Sequence, residues 1–161
     1  MATSLFSSSS LPYSFQPNEL KIGIVVADWN HHITDALKKG AIDTLTQLGI
    51  QLHQIMELTV PGSFELPHGA QILFAKECDA VICLGCVIRG DTPHFDFVCE
   101  AATHGILRAG MDVSKPCIFG VITTENEEQA LDRAGGKLGN KGSEAATAAC
   151  WMLAAANQHS I

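Results

Sequence analysis

Asp79-Ala80-Val81-Ile82-Cys83-Leu84-Gly85-Cys86-Val87-Ile88, running on into Arg89-Gly90-Asp91-Thr92-Pro93-His94, is the stretch that decides the fold. Its apolar half is unbroken, which suits a strand covered on both faces rather than one with a wet side. Its polar half holds a glycine and a proline, then gives way to Phe95–Met111, a segment of helical length. A buried strand feeding a turn and a helix is one half of a strand-helix-strand unit. The rest of the chain repeats the alternation.

Upstream, Lys21–Ala27 is β-branched and predicts a strand. Ile33–Leu48 puts Ile33, Leu37, Ala41, Leu45 and Leu48 on one helical face, with Gly49 as a stop signal. Gln51–Val60 predicts a second strand ended by Pro61-Gly62, and Leu66–Glu77 a helix with Pro67 in its first turn. Downstream, Cys117–Thr123 predicts a fourth strand, Glu125–Ala134 a helix, and Ser143–Ala156 an Ala-rich helix carrying Trp151 and Met152. Strands separated by helix-length segments imply an α/β fold with a mainly parallel sheet between helix layers. Ligands in such sheets bind beyond the carboxyl ends of the strands. The segments to search for function are therefore Asp28–His32, Pro61–Glu65, Arg89–His94 and Thr123–Asn126.

Composition narrows the classes. With 161 residues, 47% of them hydrophobic and 17% charged, the chain is one globular domain and not a disordered one. Ten Lys and Arg against seventeen Asp and Glu give a net charge of −7, the wrong sign for nucleic acid or an anionic membrane. A small phosphorylated ligand needs only a donor or two and is not excluded. The longest apolar stretch, Ala80–Ile88, is far shorter than the roughly 20 residues of a spanning helix. Residues 1–18 are Ser-rich, with no basic or sustained apolar region, and no Arg precedes Arg89. They read as a flexible arm rather than a targeting signal, leaving 19–161 as the domain. The six cysteines fall mostly in apolar segments, as reduced thiols of a cytoplasmic protein do.

Residues that carry chemistry cluster in the strand-end segments. Gly90 suits a sharp turn, Thr92 offers a hydroxyl, and the helix that follows presents free N–H groups, a ready anion site. His94 stands where an imidazole exchanges protons with a ligand; the plainer reading is that Asp91 or Thr92 caps the helix. Arg133 suits a two-pronged grip on phosphate, or is a solvated charge at a helix end. Gly139-Asn140-Lys141-Gly142 reads as a flexible loop with one ammonium. Trp29, with Asn30 beside it, offers a stacking face or covers the edge of the core. Pro61-Gly62-Ser63-Phe64-Glu65 offers a hydroxyl and a carboxylate suited to a polyol, or opens a helix. Cys83 and Cys86 form a CxxC inside an apolar strand, where the two point to opposite faces, so both read as core thiols. The histidines show no metal spacing, and Walker, GxSxG and GxGxxG motifs are absent; neither metal nor cofactor is expected.

Taken in order, Trp29-Asn30, VPGSFELP (Val60–Pro67), LGCVIRGDTPHFDFV (Leu84–Val98), FGVITTEN (Phe119–Asn126), EQALDRAG and GNKG resemble the 6,7-dimethyl-8-ribityllumazine synthase family, from about Ile22 to Met152. The resemblance implies a flavodoxin-like three-layer αβα sandwich around a four-stranded parallel sheet. It also implies a cofactor-free condensation of 5-amino-6-(D-ribitylamino)uracil with 3,4-dihydroxy-2-butanone 4-phosphate, the penultimate step of riboflavin biosynthesis. On that basis Trp29 stacks on the pyrimidine, where most members have Phe, and Ser63, Phe64 and Glu65 hold the ribityl chain. Cys86, Val87 and Ile88 meet the uracil, and Asn30 belongs to the same subsite. Asp91 and Thr92 form the phosphate turn with Arg133, His94 transfers protons, Phe119 arrives from a neighbouring subunit and Lys141 lies close by. The implied partners are further copies of the chain, as pentamers assembled into an icosahedral 60-mer given the short Gly135–Asn140 loop, and riboflavin synthase. A flavodoxin-like binder or a phosphosugar isomerase would use the same sheet, but the isomerase needs no stacking aromatic at position 29.

Overall fold

The structure is a computed structural model and describes residues 11–159. The alternation resolves into strand β1 (Ile22–Ala27), helix α1 (His31–Gln47), β2 (Ile55–Val60), α2 (Leu66–Ala75), β3 (Ala80–Ile88), α3 (His94–Val113) and β4 (Cys117–Thr124). A short helix α4 (Glu127–Arg133), a small hairpin of β5 (Ala134–Gly136) and β6 (Gly139–Asn140), and α5 (Lys141–His159) complete it. The main sheet is parallel in the order β2-β1-β3-β4. This is the flavodoxin-like sandwich expected from the resemblance.

The two-sided burial of β3 follows from its alternation. Ile82, Leu84 and Cys86 face one layer, where Ile33, Leu37, Ala41 and Leu45 of α1 meet Ala145, Ala149, Cys150 and Leu153 of α5. Val81 and Cys83 face the other, with Leu66, Ala70 and Leu73 of α2 and Ile106 and Ala109 of α3. Every residue of β1 is buried. Each fully buried Leu or Ile in these layers contributes about 1.5–3 kcal/mol. The CxxC cysteines thus lie in different cores, as a separation of three in a strand requires.

The order also sets the site. The chain steps from β1 outward to β2, then crosses back past β1 to β3. Connections on either side of β1 and β3 therefore leave in opposite directions and open a crevice at the carboxyl end.

Two expectations are corrected. The second strand does not begin at Gln51, because Leu52–Gln54 form a 3-10 turn. Gln51 N–H donates to Gln54 Oε1 at 2.8 Å, and Gln54 Nε2 donates to the carbonyls of Pro17 and Leu20, each at 2.8 Å. A side chain spent on the backbone competes with the strand ladder. Residues 139–142 are likewise no flexible loop. Asn140 Oδ1 accepts from the N–H of Gly142 at 2.8 Å and of Ser143 at 3.2 Å, capping α5. Its Nδ2 donates to Ala36 O at 2.9 Å, and Ser143 Oγ donates to Gly40 O at 3.0 Å, stitching α5 onto α1.

Of the arm expected over residues 1–18, residues 1–10 lie outside the described residues. Residues 11–18 contain no helix or strand. Leu11 and Phe15 nonetheless pack against the α1–α5 core, and the Tyr13 ring meets His159 edge-on at 5.9 Å.

Candidate active site

Three strand ends build the site. Past β1, the N–H of Asp28 donates to Val60 O at 2.8 Å and that of Trp29 to Pro61 O at 3.1 Å, so the β1–β2 ladder carries Trp29 beyond the sheet. The indole is left 73% exposed. Asn30 then turns the chain in the left-handed region, with φ 62° and ψ 41°, which Asn tolerates better than most residues. Its Nδ2 donates to Cys86 O at 3.1 Å, pinning the end of β1 to β3 across the crevice.

Past β2, Ser63–Glu65 forms a 3-10 turn leading into α2. Ser63 is buried because β3 has a glycine opposite: a Cβ on Gly85 would lie 2.5 Å from Ser63 Oγ and 3.0 Å from Leu66 Cδ1. Phe64 is left 61% exposed. Past β3, Gly90 and Thr92 lead to α3. Its N-cap is Pro93, and no side chain caps the helix. The reading in which Asp91 or Thr92 caps it therefore fails. The leading N–H groups of a 20-residue helix, at the positive end of its dipole, are left for a ligand. Nor does Gly90 adopt a positive φ; a Cβ there would have nothing within 4 Å, so it leaves space rather than making the turn.

These elements enclose a cavity of about 570 Å³. Of the residues expected from sequence, Trp29, Asn30, Ser63, Phe64, Glu65, Cys86, Val87, Ile88, Thr92 and His94 line it together. Pro61, Gly62 and Gly90, from segments already read in the sequence, line it too, as do Phe95 and Val98, which were not singled out. Val98 stands four residues after His94 on α3, so helical spacing marks it out, whereas Phe95, one residue on, carries no such signal. Asp91, Phe119, Arg133 and Lys141 are not in the lining. Phe119 is 42% exposed on the edge strand β4. Arg133 Nη1 donates to Gln129 O of its own helix at 3.1 Å, and Lys141 Nζ pairs with Glu144 Oε2 at 2.6 Å. No Lys or Arg lines the cavity, although Glu65 does. Among the described residues no three His, Cys, Asp or Glu side chains gather where they could hold a metal ion.

Cys86 is no nucleophile in waiting. Burial, reinforced by the nearby Glu127 carboxylate, pushes its thiol up to about 12, and burial does the same to Cys150. Such thiols stay protonated in the folded chain at pH values where an unfolded thiol, near 9.0, has ionised. The folded state then holds more protons, so stability falls as pH rises from about 9 to about 12. Cys150→Ala, distant from the cavity, is expected to flatten that decline in urea midpoints; parallel curves for the two proteins would contradict it.

The family model described as 6,7-dimethyl-8-ribityllumazine synthase matches residues 19–157. The chain belongs to this family. Relatives bearing that name include one from Porphyromonas gingivalis, 51% identical over 155 residues, covering 94% of this chain and 96% of the relative. One from Cytophaga hutchinsonii is 57% identical over 133 residues, covering 82% and 84%. One from Flavobacterium johnsoniae is 45% identical over 164 residues, covering 100% and 86%. The match to the lumazine synthase family takes in every strand end that forms the cavity.

Proposed function

We propose that the chain condenses 5-amino-6-(D-ribitylamino)uracil with 3,4-dihydroxy-2-butanone 4-phosphate to 6,7-dimethyl-8-ribityllumazine, releasing phosphate and water, as a transferase of riboflavin biosynthesis. The observation that carries this reading is a cavity with two unlike ends. One holds exposed aromatics, a buried hydroxyl and a carboxylate, from Trp29, Phe64, Ser63 and Glu65. The other is the uncapped start of α3 with His94 beside it.

The chemistry divides along the same line. The pyrimidine lies against Trp29, its edge met by Cys86, Val87 and Ile88. Cys86 O already accepts from Asn30, so Asn30 serves that subsite by holding strand β3. Ser63 and Glu65 bind ribityl hydroxyls. The phosphate sits at Asp91-Thr92 on backbone N–H groups, with the Asp91 side chain turned away. The amine attacks the ketone, water leaves to give an imine, phosphate is eliminated, and the ribityl-bearing amine closes the ring on the remaining carbonyl with loss of a second water. His94 moves protons in these steps, worth about 10²–10⁴-fold. Holding two reactants side by side supplies much of the rest.

A phosphate dianion in a cavity that has a carboxylate and no cation needs a positive charge from elsewhere. A homo-oligomer provides it, with Arg133, Lys141 and Phe119 of a second copy completing each site. We take the assembly to be a pentamer closed into a 60-mer, which light scattering at physiological salt would contradict by giving free pentamers. Association with riboflavin synthase, a cytoplasmic location and a division into an N-terminal arm over residues 1–18 and a domain over 19–161 belong to the same proposal. No helix among the described residues is long and apolar enough to cross a membrane.

The test is a two-substrate assay that follows phosphate and the fluorescent lumazine together. Both should appear in step, and His94→Ala should lower kcat by about 100-fold without abolishing turnover. Phosphate released without lumazine would favour a lyase, and flavin binding without turnover a carrier.

A further inference from the structure

Arg89 is the one cation of the β3–α3 turn, yet it does not line the cavity. Its Nε lies 3.2 Å from Oε1 and 3.0 Å from Oε2 of Glu125, just past β4. Its Nη1 reaches Asp96 Oδ1, in the first turn of α3, at 3.4 Å. The guanidinium carbon lies 4.1 Å from the centre of the Phe95 ring. Its backbone N–H donates to Thr124 O at 2.8 Å, extending the β3–β4 ladder past Ile88. Two carboxylates already answer its charge, so it is poorly placed to serve as a phosphate ligand.

What it holds is the cavity wall. Phe95 lines the cavity next to His94. A planar guanidinium laid on a ring and anchored by carboxylates constrains the tilt of that ring and the helical turn carrying it. We propose that Arg89 is a positioning residue that sets the first turn of α3, and with it His94 and the adjoining Asp91-Thr92 N–H groups that bind phosphate, through Phe95, Asp96 and Glu125. It touches neither substrate. The inference rests on the reading of the site given under Proposed function.

Arg89→Ala should raise KM for the butanone phosphate and lower kcat, each by about 10-fold, since small misplacements of reacting groups carry penalties of that order. The Kd of the aminouracil should change by less than about twofold, because its subsite is built on β1, β2 and β3 and not on α3. Arg89→Lys keeps the charge but has no plane to lay on Phe95, so it should resemble Arg89→Ala more than the wild type. The effects of Arg89→Ala and Phe95→Leu should overlap in the double variant; a guanidinium gripping phosphate directly would make them add. Equal losses for both substrates, additive effects, full rescue by lysine or unchanged kinetics would each overturn the proposal. If Arg89→Ala does not fold, Glu125→Gln should give the same split at smaller size, and its absence there is equally decisive against. Wild-type protein that makes no lumazine would refute the site reading instead, so the two failures are distinguishable.

Discussion

Chains carrying Arg133→Ala, refolded together with chains carrying His94→Ala, are expected to turn over faster than either variant alone. Alone, Arg133→Ala should raise KM for the phosphorylated substrate by about 100-fold, the value of a lost charge-assisted pair, and leave aminouracil binding in place. His94→Ala keeps that binding and loses proton transfer. The cavity has His94 in its wall, whereas Arg133 is absent from the lining and bonded to its own helix. If each site draws His94 from one chain and Arg133 from another, random mixing leaves about a quarter of the sites with both residues intact. Lumazine formation in the mixture should therefore exceed the average of the two separate variants. Recovery no greater than that average would mean that both residues serve the same chain, and the oligomeric reading would fail.

Gly142→Ala should be among the most destabilising single changes in the chain. A Cβ there would overlap the carbonyl oxygen of Leu37, a backbone atom of α1 that cannot swing aside. It would also press on Asn140, whose amide caps α5 and bonds to α1. Overpacking against backbone at a helix crossing costs about 3 kcal/mol, or about 6–12 °C in Tm for a domain of this size. Thermal melts at fixed protein concentration measure it, since assembly adds to apparent stability. Gly90→Ala is the control: a Cβ there meets nothing, and Tm should barely move. Equal melting of the two variants would show that the α1–α5 crossing yields more readily than its geometry implies.

Much of the layered fold was legible because its signals are local. The apolar run of β3, the spacing from Ile33 to Leu45 and the Pro67 helix start each depend on nearby residues. What escaped depends on contacts distant in sequence. Gln54 leaves the strand because it bonds to Pro17 and Leu20, and Asn140 caps a helix while bonding to Ala36, neither visible in a short window. The site divides in the same way. Residues at the ends of β1, β2 and β3 could be found because a parallel sheet places them together. Arg133 and Lys141 could not be placed by spacing, since nothing within one chain brings them to the cavity. Arg89 drew no role from its place in the sequence, and only its distances to Glu125, Asp96 and Phe95 point to one.

The cover that α5 gives to one side of the sheet carries a burden for the cell. The ribosome releases that helix after the whole of the sheet, so Ile22, Ile24, Ile82 and Leu84 wait half-clothed until it emerges. Until then the nascent chain offers a greasy flank to chaperones and to its siblings on the same messenger. A premature stop codon that removes α5 would leave the segments that line the cavity intact, though not Lys141, and still yield a polypeptide fated for inclusion bodies or proteolysis.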